Sequence, residues 1–183
     1  MLKFGHPRVA VVPLLSILSL SIGLLATTAA LGGVRINTSY SLPLGIYVRT
    51  HDRDARLIEF CPVEPFASES RERGYRTHGT ACADGGVPLL KPVVAVAGDR
   101  VVMSDEGMRV NGRLLPKTAP LFRDAAGRSL HPWPFGAYVV EDGAVWVAST
   151  YNRGSYDSRY MGPIKISKIR ARLRPLTNER KGG

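Results

Sequence analysis

Three hydroxyl side chains stand close together in the segment NTSYSLPLGIYV, residues 37–48. Thr38, Ser39 and Ser41 precede Pro43, and short hydroxyl side chains in such a position commonly hydrogen-bond nearby backbone groups of a turn. The second interpretation is that one serine is a nucleophile, which requires a base from another part of the chain to take its proton. The rest of the sequence must supply that base.

Histidine is a poor candidate for the base. His51, His78 and His131 all lie in polar or proline-rich segments, and no serine stands in a G-x-S-x-G sequence. A serine-histidine-acid triad needs the histidine and the acid within reach of the nucleophile, and nothing in the sequence favours that arrangement.

Lysine offers a better base. Of the six lysines, only Lys91 and Lys117 lie outside the N-terminus and the basic C-terminal region. Lys91 stands in the apolar stretch PLLKPVVAV, whereas Lys117 stands in the loop-like LPKTAP. In an extended chain Lys91 shares a face with Val93 and Ala95, and burial there would lower the lysine pKa from its usual value of about 10.4. An edge-strand lysine with its ammonium group in water is the competing interpretation.

The N-terminal region has the composition of a membrane span. Residues 9–34 contain no charged side chain, and a helix rising roughly 1.5 Å per residue over that length would cross a hydrocarbon core of about 30 Å. We predict a retained transmembrane anchor, with a cleavable signal peptide as the alternative, although the apolar core of such peptides is usually only about 7–15 residues. Lys3 and Arg8 precede the span, so the positive-inside rule places residues 1–8 in the cytoplasm and the chain after Arg35 in the periplasm.

The formal charge of +10 raises the question of a nucleic-acid partner. Much of the excess lies in the C-terminal region, where KIRARLRPL alternates arginines with Ile169, Ala171 and Leu173. This alternation is typical of a strand with one solvated basic face, so we expect no nucleic-acid partner. Such a face would also suit an anionic membrane surface. We assign residues 178–183 to a basic C-terminal tail.

The remaining pattern predicts one mainly β domain with a real core, since 44% of the residues are hydrophobic. LLKPVVAVAGDRVVM alternates apolar positions around a Gly-Asp turn, and the Asn-Gly pair at residues 111–112 favours a hairpin. Further strands are predicted at residues 137–140 and 144–148. A short helix is predicted over Phe66 to Arg73, ended by Gly74.

Cys61 and Cys82 are the only cysteines, and the segment between them is rich in Pro, Gly, Glu and Arg. A disulfide closing a loop of about 20 residues would contribute roughly 3 kcal/mol in an oxidising compartment. Two free thiols are the alternative. We predict the disulfide. Because no C-x-x-C or clustered histidine accompanies the cysteines, we expect no metal site, and we predict no cofactor.

The order of these segments resembles a known family. An apolar N-terminal span, S-x-S-x-P, L-K-x-V-V-A-V-x-G-D and S-Y-D-S-R-Y-M-G are similar to the signal peptidase I superfamily, which cleaves with a serine-lysine dyad. The S-L-P-L-G-I-Y form of the serine motif and the two-cysteine segment resemble its conjugative-transfer branch, the TraF-type pilin-processing peptidases. The resemblance extends from the anchor to about Leu176.

The resemblance implies a role for each matched residue. Ser41 would be the nucleophile and Lys91 the general base. The Ser41 N–H and the Ser39 hydroxyl would form the oxyanion hole, which stabilises the charge that develops in the transition state. Ser155 would orient the lysine ammonium.

Asp157 and Arg159 would form a supporting ion pair, since two residues spaced in this way share a face in an extended chain. The sequence also departs from the family pattern. Pro92 follows the lysine where the family commonly has arginine, and its missing N–H predicts an edge strand or a strand start. A-S-T-Y-N-R replaces the usual G-D-N-R, so no role is transferred to those residues.

Together, the residues and the resemblance imply a mainly β, signal-peptidase-like domain over residues 35–177 with one N-terminal transmembrane helix. The domain would face the periplasm from the bacterial inner membrane and form an acyl-enzyme through Ser41. The implied substrate is a pilin precursor or another exported protein in conjugative transfer, and some relatives pass the acyl group to the pilin's own amine. The alternatives are a general signal peptidase, a non-catalytic component of a conjugation apparatus and a LexA-type self-cleaving repressor. The predicted span disfavours the repressor.

Overall fold

A computed structural model describes residues 17, 19–21, 23 and 33–176. The predicted anchor over residues 9–34 lies almost entirely outside the described residues, as do the segments 1–8 and 178–183. Within the described part of the chain, no helix is long and apolar enough to cross a membrane. The chain divides into two compact units, residues 1–34 and residues 35–183, and the candidate site lies in the second.

The described residues form two β-sheets. The larger sheet has seven strands in the order β1 (Val34–Asn37), β2 (Gly45–Thr50), β11 (Ile169–Pro175), β3 (Leu57–Phe60), β4 (Leu89–Val96), β9 (Ala144–Val147) and β10 (Ile164–Lys165). The smaller sheet has the order β7 (Arg113–Leu114), β6 (Gly107–Val110), β5 (Arg100–Ser104) and β8 (Gly136–Val139). From β2 to β10, and throughout the smaller sheet, neighbouring strands pair antiparallel. The mainly β prediction is confirmed for this part of the chain.

The local turn predictions hold. Asn111 and Gly112 connect β6 to β7 with φ angles of 50° and 83°, the positive values that favour an Asn-Gly hairpin. Helix α1 spans Phe66–Glu72 and is followed by Gly74 in the left-handed region at φ 73°, as predicted for its end. The strands predicted at residues 137–140 and 144–148 are β8 and β9, each within one residue of its predicted bounds.

Burial alternates along the basic strand β11 as predicted, except at Arg172. Leu173 is buried and faces the core, while Arg170 and Arg174 are exposed. Arg172 is only half-buried, because the sheet continues on both sides of β11 and the Arg172 guanidinium donates to the Ala55 carbonyl oxygen at 2.9 Å. The strand therefore presents a less continuous basic face than the sequence predicted.

The prediction that Pro92 restricts its strand to an edge or a strand start was wrong. Pro92 lies in the middle of β4, and β4 lies between β3 and β9 inside the larger sheet. The strand changes partner at this residue, since Pro92 is the last to pair with β3 and Val93 the first to pair with β9. The Pro92 carbonyl oxygen still accepts from the Ala148 N–H at 3.2 Å. The proline is tolerated because pairing of β4 with β3 ends at this residue and pairing with β9 begins at the next.

The second helix, α2, spans Ser158–Met161 and begins at a side-chain cap. The Asp157 carboxylate accepts from the Arg159 backbone N–H at 3.2 Å, as an N-cap residue does. Asp157 and Arg159 therefore do not share one face of an extended chain, the geometry considered from the sequence for their pairing. The two side chains meet because the cap and the first turn of a helix bring them to the same side.

Three clusters of buried apolar side chains stabilise the domain, and one of them positions the candidate site. Leu42 and Leu90 pack in the same cluster as Tyr47 and Leu173. Leu42 directly follows Ser41, and Leu90 directly precedes Lys91. The packing of these neighbours therefore fixes the serine turn against β4.

Cys61 and Cys82 form a disulfide, as predicted. The bond closes the segment between β3 and β4 that contains α1. Inside this segment the buried Arg76 guanidinium donates to the Ser70 hydroxyl at 2.8 Å and to the Ala67 carbonyl oxygen at 2.8 Å. These hydrogen bonds from a buried charged side chain stabilise a segment that is too short to form a hydrophobic core of its own.

Candidate active site

Ser41, Lys91 and Ser155 form a closed triangle of hydrogen bonds. Lys91 Nζ lies 2.6 Å from Ser41 Oγ and 2.8 Å from Ser155 Oγ, and Ser41 Oγ donates to Ser155 Oγ at 3.1 Å. The exposed fractions of Ser41, Lys91 and Ser155 are 7%, 4% and 3%. The three residues predicted as nucleophile, base and orienting hydroxyl are therefore in direct contact and almost free of solvent.

The buried position of Lys91 in the sheet shifts its protonation equilibrium toward the neutral amine. Burial lowers the pKa of its ammonium group from 10.5 to about 8, although the nearby negative charge of Asp157 acts to raise it and Arg159 acts to lower it further. A lysine in this environment carries a much larger neutral fraction near pH 7 than a solvated lysine does. It can accept a proton from a hydroxyl group that touches it.

Asp157 and Arg159 form a fully buried ion pair. Arg159 Nε donates to Asp157 Oδ1 at 2.8 Å and Arg159 Nη2 donates to Oδ2 at 2.8 Å, the two-point geometry typical of Arg-carboxylate pairs. Burial alone would raise the Asp157 pKa, but the Arg159 charge and hydrogen bonds outweigh it and hold that pKa below its usual value. Asp157 therefore stays ionised beside Lys91.

The Arg159 guanidinium also holds the loop that carries Ser155. It donates to the Ser155 carbonyl oxygen at 2.8 Å and to the Arg153 carbonyl oxygen at 2.7 Å. Because buried carbonyl groups need partners, these bonds restrict the loop to one conformation. Arg159 is thus connected to Lys91 through the placement of the Ser155 hydroxyl.

Ser149 links the ion pair to the serine turn. Its hydroxyl group donates to the Ser41 carbonyl oxygen at 2.7 Å, and its backbone N–H donates to Asp157 Oδ2 at 3.0 Å. Ser149 is fully buried. The backbone of the nucleophile turn and the buried ion pair are therefore two hydrogen bonds apart.

Ser39 lies at the same turn, but its hydroxyl group is engaged elsewhere in this structure. Ser39 Oγ donates to the Asn37 side-chain oxygen at 3.0 Å. A hydroxyl group has a single proton to donate, so the Ser39 hydroxyl must rotate before it can donate to an oxyanion. The predicted oxyanion role of Ser39 remains a prediction.

A cleft of about 160 Å³ leads to Ser41 and Lys91. One wall comes from β1 and the following turn, and the other from residues 87–91, with Tyr75 and Thr77 of the disulfide-closed segment at one end. Among the strands that the structure describes, β1 ends the larger sheet and the first residues of β4 pair with β3 alone. Unpaired strand edges of this kind can hydrogen-bond an extended peptide. A separate, more apolar cavity of about 200 Å³ beside the disulfide contains none of the site residues.

The other candidate groups named from the sequence do not line this cleft. His51, His78 and His131 are all exposed, and the exposed Lys117 ammonium group donates to the Tyr151 carbonyl oxygen at 3.1 Å. Among the residues that the structure describes, no group of three or more His, Cys, Asp or Glu side chains could hold a metal ion.

Residues 46–176 match the protein-family model described as signal peptidase, peptidase S26. The chain belongs to this family. The match includes Lys91, Ser155, Asp157 and Arg159 but begins just after Ser41, so the full-length relatives are the better comparison for the serine turn.

Curated relatives share most of their length with this S26 chain. Plasmid transfer protein TraF of Escherichia coli is 36% identical, over 84% of this chain and 88% of that protein. The probable conjugal transfer protein TraF of Sinorhizobium fredii is 37% identical, over 85% of this chain and 84% of that protein. The predicted superfamily and its TraF branch are thereby confirmed. A crystal structure of signal peptidase I from Enterococcus faecalis matches 69% of this chain and 99% of its own, with a TM-score of 0.37 and 17% identity.

Sequence reasoning missed two residues of this S26 site, Asn37 and Ser149. Asn37 had a detectable pattern, because an Asn two residues before a Ser favours a side-chain hydrogen bond to the backbone N–H of that Ser. Ser149 had none, since its contact to Ser41 joins positions 108 residues apart. Only the folded chain identifies it.

Proposed function

We propose that this chain is a membrane-anchored serine endopeptidase that uses Ser41 as nucleophile and Lys91 as general base. The observation that carries the proposal is the 2.6 Å contact between Lys91 Nζ and Ser41 Oγ in a site where burial lowers the lysine pKa to about 8. A hydroxyl group becomes an effective nucleophile only when a base of suitable pKa touches it. Lys91 meets both requirements.

The reaction begins when the Ser41 hydroxyl turns its proton from Ser155 Oγ to neutral Lys91, which takes the proton as Ser41 Oγ attacks the scissile carbonyl carbon. The negative charge that develops on the carbonyl oxygen is stabilised by the Ser41 N–H and by the Ser39 hydroxyl after it rotates away from Asn37. The Lys91 ammonium then gives its proton to the leaving amine, and an ester forms at Ser41. Ser155 Oγ accepts a hydrogen bond from Lys91 throughout and keeps the ammonium directed at the reacting atoms.

The ester can be released in two ways. Attack by water yields a free carboxylate, and attack by an amine yields a new peptide bond. With the N-terminal amine of the same substrate, the second route closes a ring and consumes no water, whereas hydrolysis adds one water to the product. Lys91 removes a proton from either nucleophile in the same manner.

The proposed substrate is a pilin precursor or another exported protein used in conjugative transfer. The names of the TraF relatives support conjugation, and their high coverage supports a shared role for the whole chain. An extended segment with small residues before the cleaved bond would suit a narrow cleft between two strand edges.

We place the catalytic domain, residues 35–177, in the periplasm, held at the bacterial inner membrane by residues 9–34. The disulfide between Cys61 and Cys82 supports this location, because such bonds persist in oxidising compartments and are rare in the cytosol. An anchor would also hold the cleft near precursors that are themselves inserted in the membrane.

The test is the intact mass of a cognate pilin precursor co-expressed with the wild-type chain, with Ser41→Ala or with Lys91→Ala. We expect only the wild-type chain to shorten the precursor. A product lighter than the hydrolysed form by one water would identify ring closure. Shortening by Ser41→Ala would refute the nucleophile assignment and favour a structural role, whereas equal processing of many unrelated exported precursors would favour a general signal peptidase.

A further inference from the structure

The Asn37 side chain makes an unusually dense set of contacts with the serine turn. It lies at the end of β1, only 6% exposed, and its amide nitrogen donates to the carbonyl oxygens of Ser39 at 2.9 Å, Pro43 at 3.1 Å and Leu42 at 3.3 Å. These three carbonyl groups lie on both sides of Ser41. One side chain therefore ties together the two ends of the turn.

The Asn37 side-chain oxygen serves the other half of the same turn. It accepts from the Ser39 backbone N–H at 3.2 Å and from Ser39 Oγ at 3.0 Å. Exchanging the oxygen and nitrogen of the amide would direct N–H groups at the Ser39 N–H and an oxygen at three carbonyl oxygens. The contacts fix the orientation of the amide, and only an amide offers both a double donor and an acceptor.

We infer that Asn37 is a positioning residue for the oxyanion hole, setting the direction of the Ser41 N–H through the turn and holding the Ser39 hydroxyl until substrate binds. The inference rests on the proposed function. In the resting state the Ser39 proton points at the Asn37 oxygen. When negative charge develops on the scissile carbonyl oxygen, the hydroxyl rotates toward it, while the Ser39 N–H bond to Asn37 keeps the Ser39 backbone in place.

This role predicts a particular kinetic signature. Loss of oxyanion stabilisation lowers kcat, typically by about 100-fold for one donor, and has little effect on ground-state binding. The Asn37 side chain hydrogen-bonds Ser39, Leu42 and Pro43 in the described part of the chain and not Lys91, so the pH midpoint of the reaction should not move. A purely structural residue would instead lower activity in proportion to the unfolded fraction.

The experiment compares kcat, KM and the pH midpoint for wild type, Asn37→Ala, Ser39→Ala and the double variant, with the full-length precursor as substrate. We expect Asn37→Ala to lower kcat about 100-fold, with KM within about threefold and the same pH midpoint. Because Asn37 acts partly through Ser39, the double variant should lose less than the product of the two single losses. A kcat within threefold of wild type, or losses that multiply, would overturn the inference.

Two further variants keep the test decisive. Asn37→Asp retains the side-chain volume and the acceptor for Ser39 but loses the donors, and we expect a kcat loss as large as that of Asn37→Ala. Tyr47→Phe is the matched control, because it keeps the aromatic ring and removes the hydrogen bond that the Tyr47 hydroxyl donates to the Pro43 carbonyl oxygen at 2.7 Å, a carbonyl group that Asn37 also contacts. Tyr47→Phe should keep kcat within about threefold of wild type.

A measurement independent of catalysis separates this inference from the proposed function. Hydrogen exchange of the peptide covering residues 38–44 should accelerate at least about tenfold in Asn37→Asp relative to wild type, and less in Tyr47→Phe. Unchanged exchange in Asn37→Asp would overturn the inference even if the chain proved inactive. Failure of the wild-type chain to cleave any precursor would refute the proposed function alone.

Discussion

The pH dependence of cleavage follows directly from the environment of Lys91. In the proposed mechanism neutral Lys91 is the active form, and burial lowers the pKa of Lys91 from 10.5 to about 8. At pH 7 a group with a pKa of 8 is neutral in about one molecule in ten, whereas a group with a pKa of 10.5 is neutral in about one in 3000. The buried environment therefore supplies roughly 300-fold more active base at neutral pH.

We expect kcat/KM for precursor cleavage to rise about tenfold per pH unit below pH 8 and to level off above it. The assay is a steady-state pH series between about pH 6 and 10 with a purified precursor or a peptide spanning its cleavage site. Lys168→Ala is the matched control, because it removes an exposed ammonium group in the same domain and should leave the midpoint unchanged.

Two results would refute this reasoning. A midpoint near 10 would mean that Lys91 is solvated during catalysis and that its burial does not set its charge. A rate independent of pH over this range, or activity retained in Lys91→Ala, would mean that another group takes the serine proton.

Three further predictions concern stability. Lys91 is protonated up to about pH 10.5 in the unfolded chain but only up to about pH 8 in the folded chain. Because the unfolded state binds more protons between these two values, the free energy of unfolding should rise with pH there, by up to about 3 kcal/mol. Urea titrations at pH 7 and 10 should show this rise in wild type and not in Lys91→Met. Asp157→Asn leaves the buried Arg159 charge without its partner and should cost about 3–5 kcal/mol, measured by the same titration, and a loss below 1 kcal/mol would contradict a dry ion pair. Replacing both Cys61 and Cys82 by Ser opens a loop with a sequence separation of 21 and should cost about 3 kcal/mol, while dithiothreitol should destabilise wild type and leave the double variant unchanged.

The parts of the fold that were predictable are those encoded by local patterns. Alternating apolar residues identified β4, β5 and β11, and the Asn111-Gly112 pair identified a hairpin because only some residues accept positive φ. The order of strands was not predictable. β11 pairs with both β2 and β3, and nothing local in its sequence indicates which distant strands will flank it.

The Pro92 prediction failed for a related reason. A rule based on the missing N–H assumes one partner along the whole strand, whereas β4 exchanges β3 for β9 at that residue. A proline at such a transition interrupts neither ladder in its interior. The sequence contains no indication that the transition falls there.

For the candidate site, residue type and the resemblance identified Ser41, Lys91 and Ser155, because serine-lysine chemistry restricts the choice to few side chains. The conformation of residues 157–159 could not be predicted, since Asp157 caps a one-turn helix that exists only against the rest of the domain. The Asn37-x-Ser39 spacing favours the bond from the Ser39 N–H to the Asn37 side chain, but the bonds of Asn37 and Ser149 to carbonyl oxygens leave no trace in the sequence, because every residue has a carbonyl group.

Ser41, Lys91 and Ser155 are separated by 50 and 64 residues along the chain. While the polypeptide is still unfolded, its lysines are solvated and almost wholly protonated near pH 7, so Lys91 cannot take the Ser41 proton. The proposed base comes into existence only when β4 and the loop after β9 are in place around it. Folding would then be the activation step, and an incompletely folded chain would not cleave other proteins.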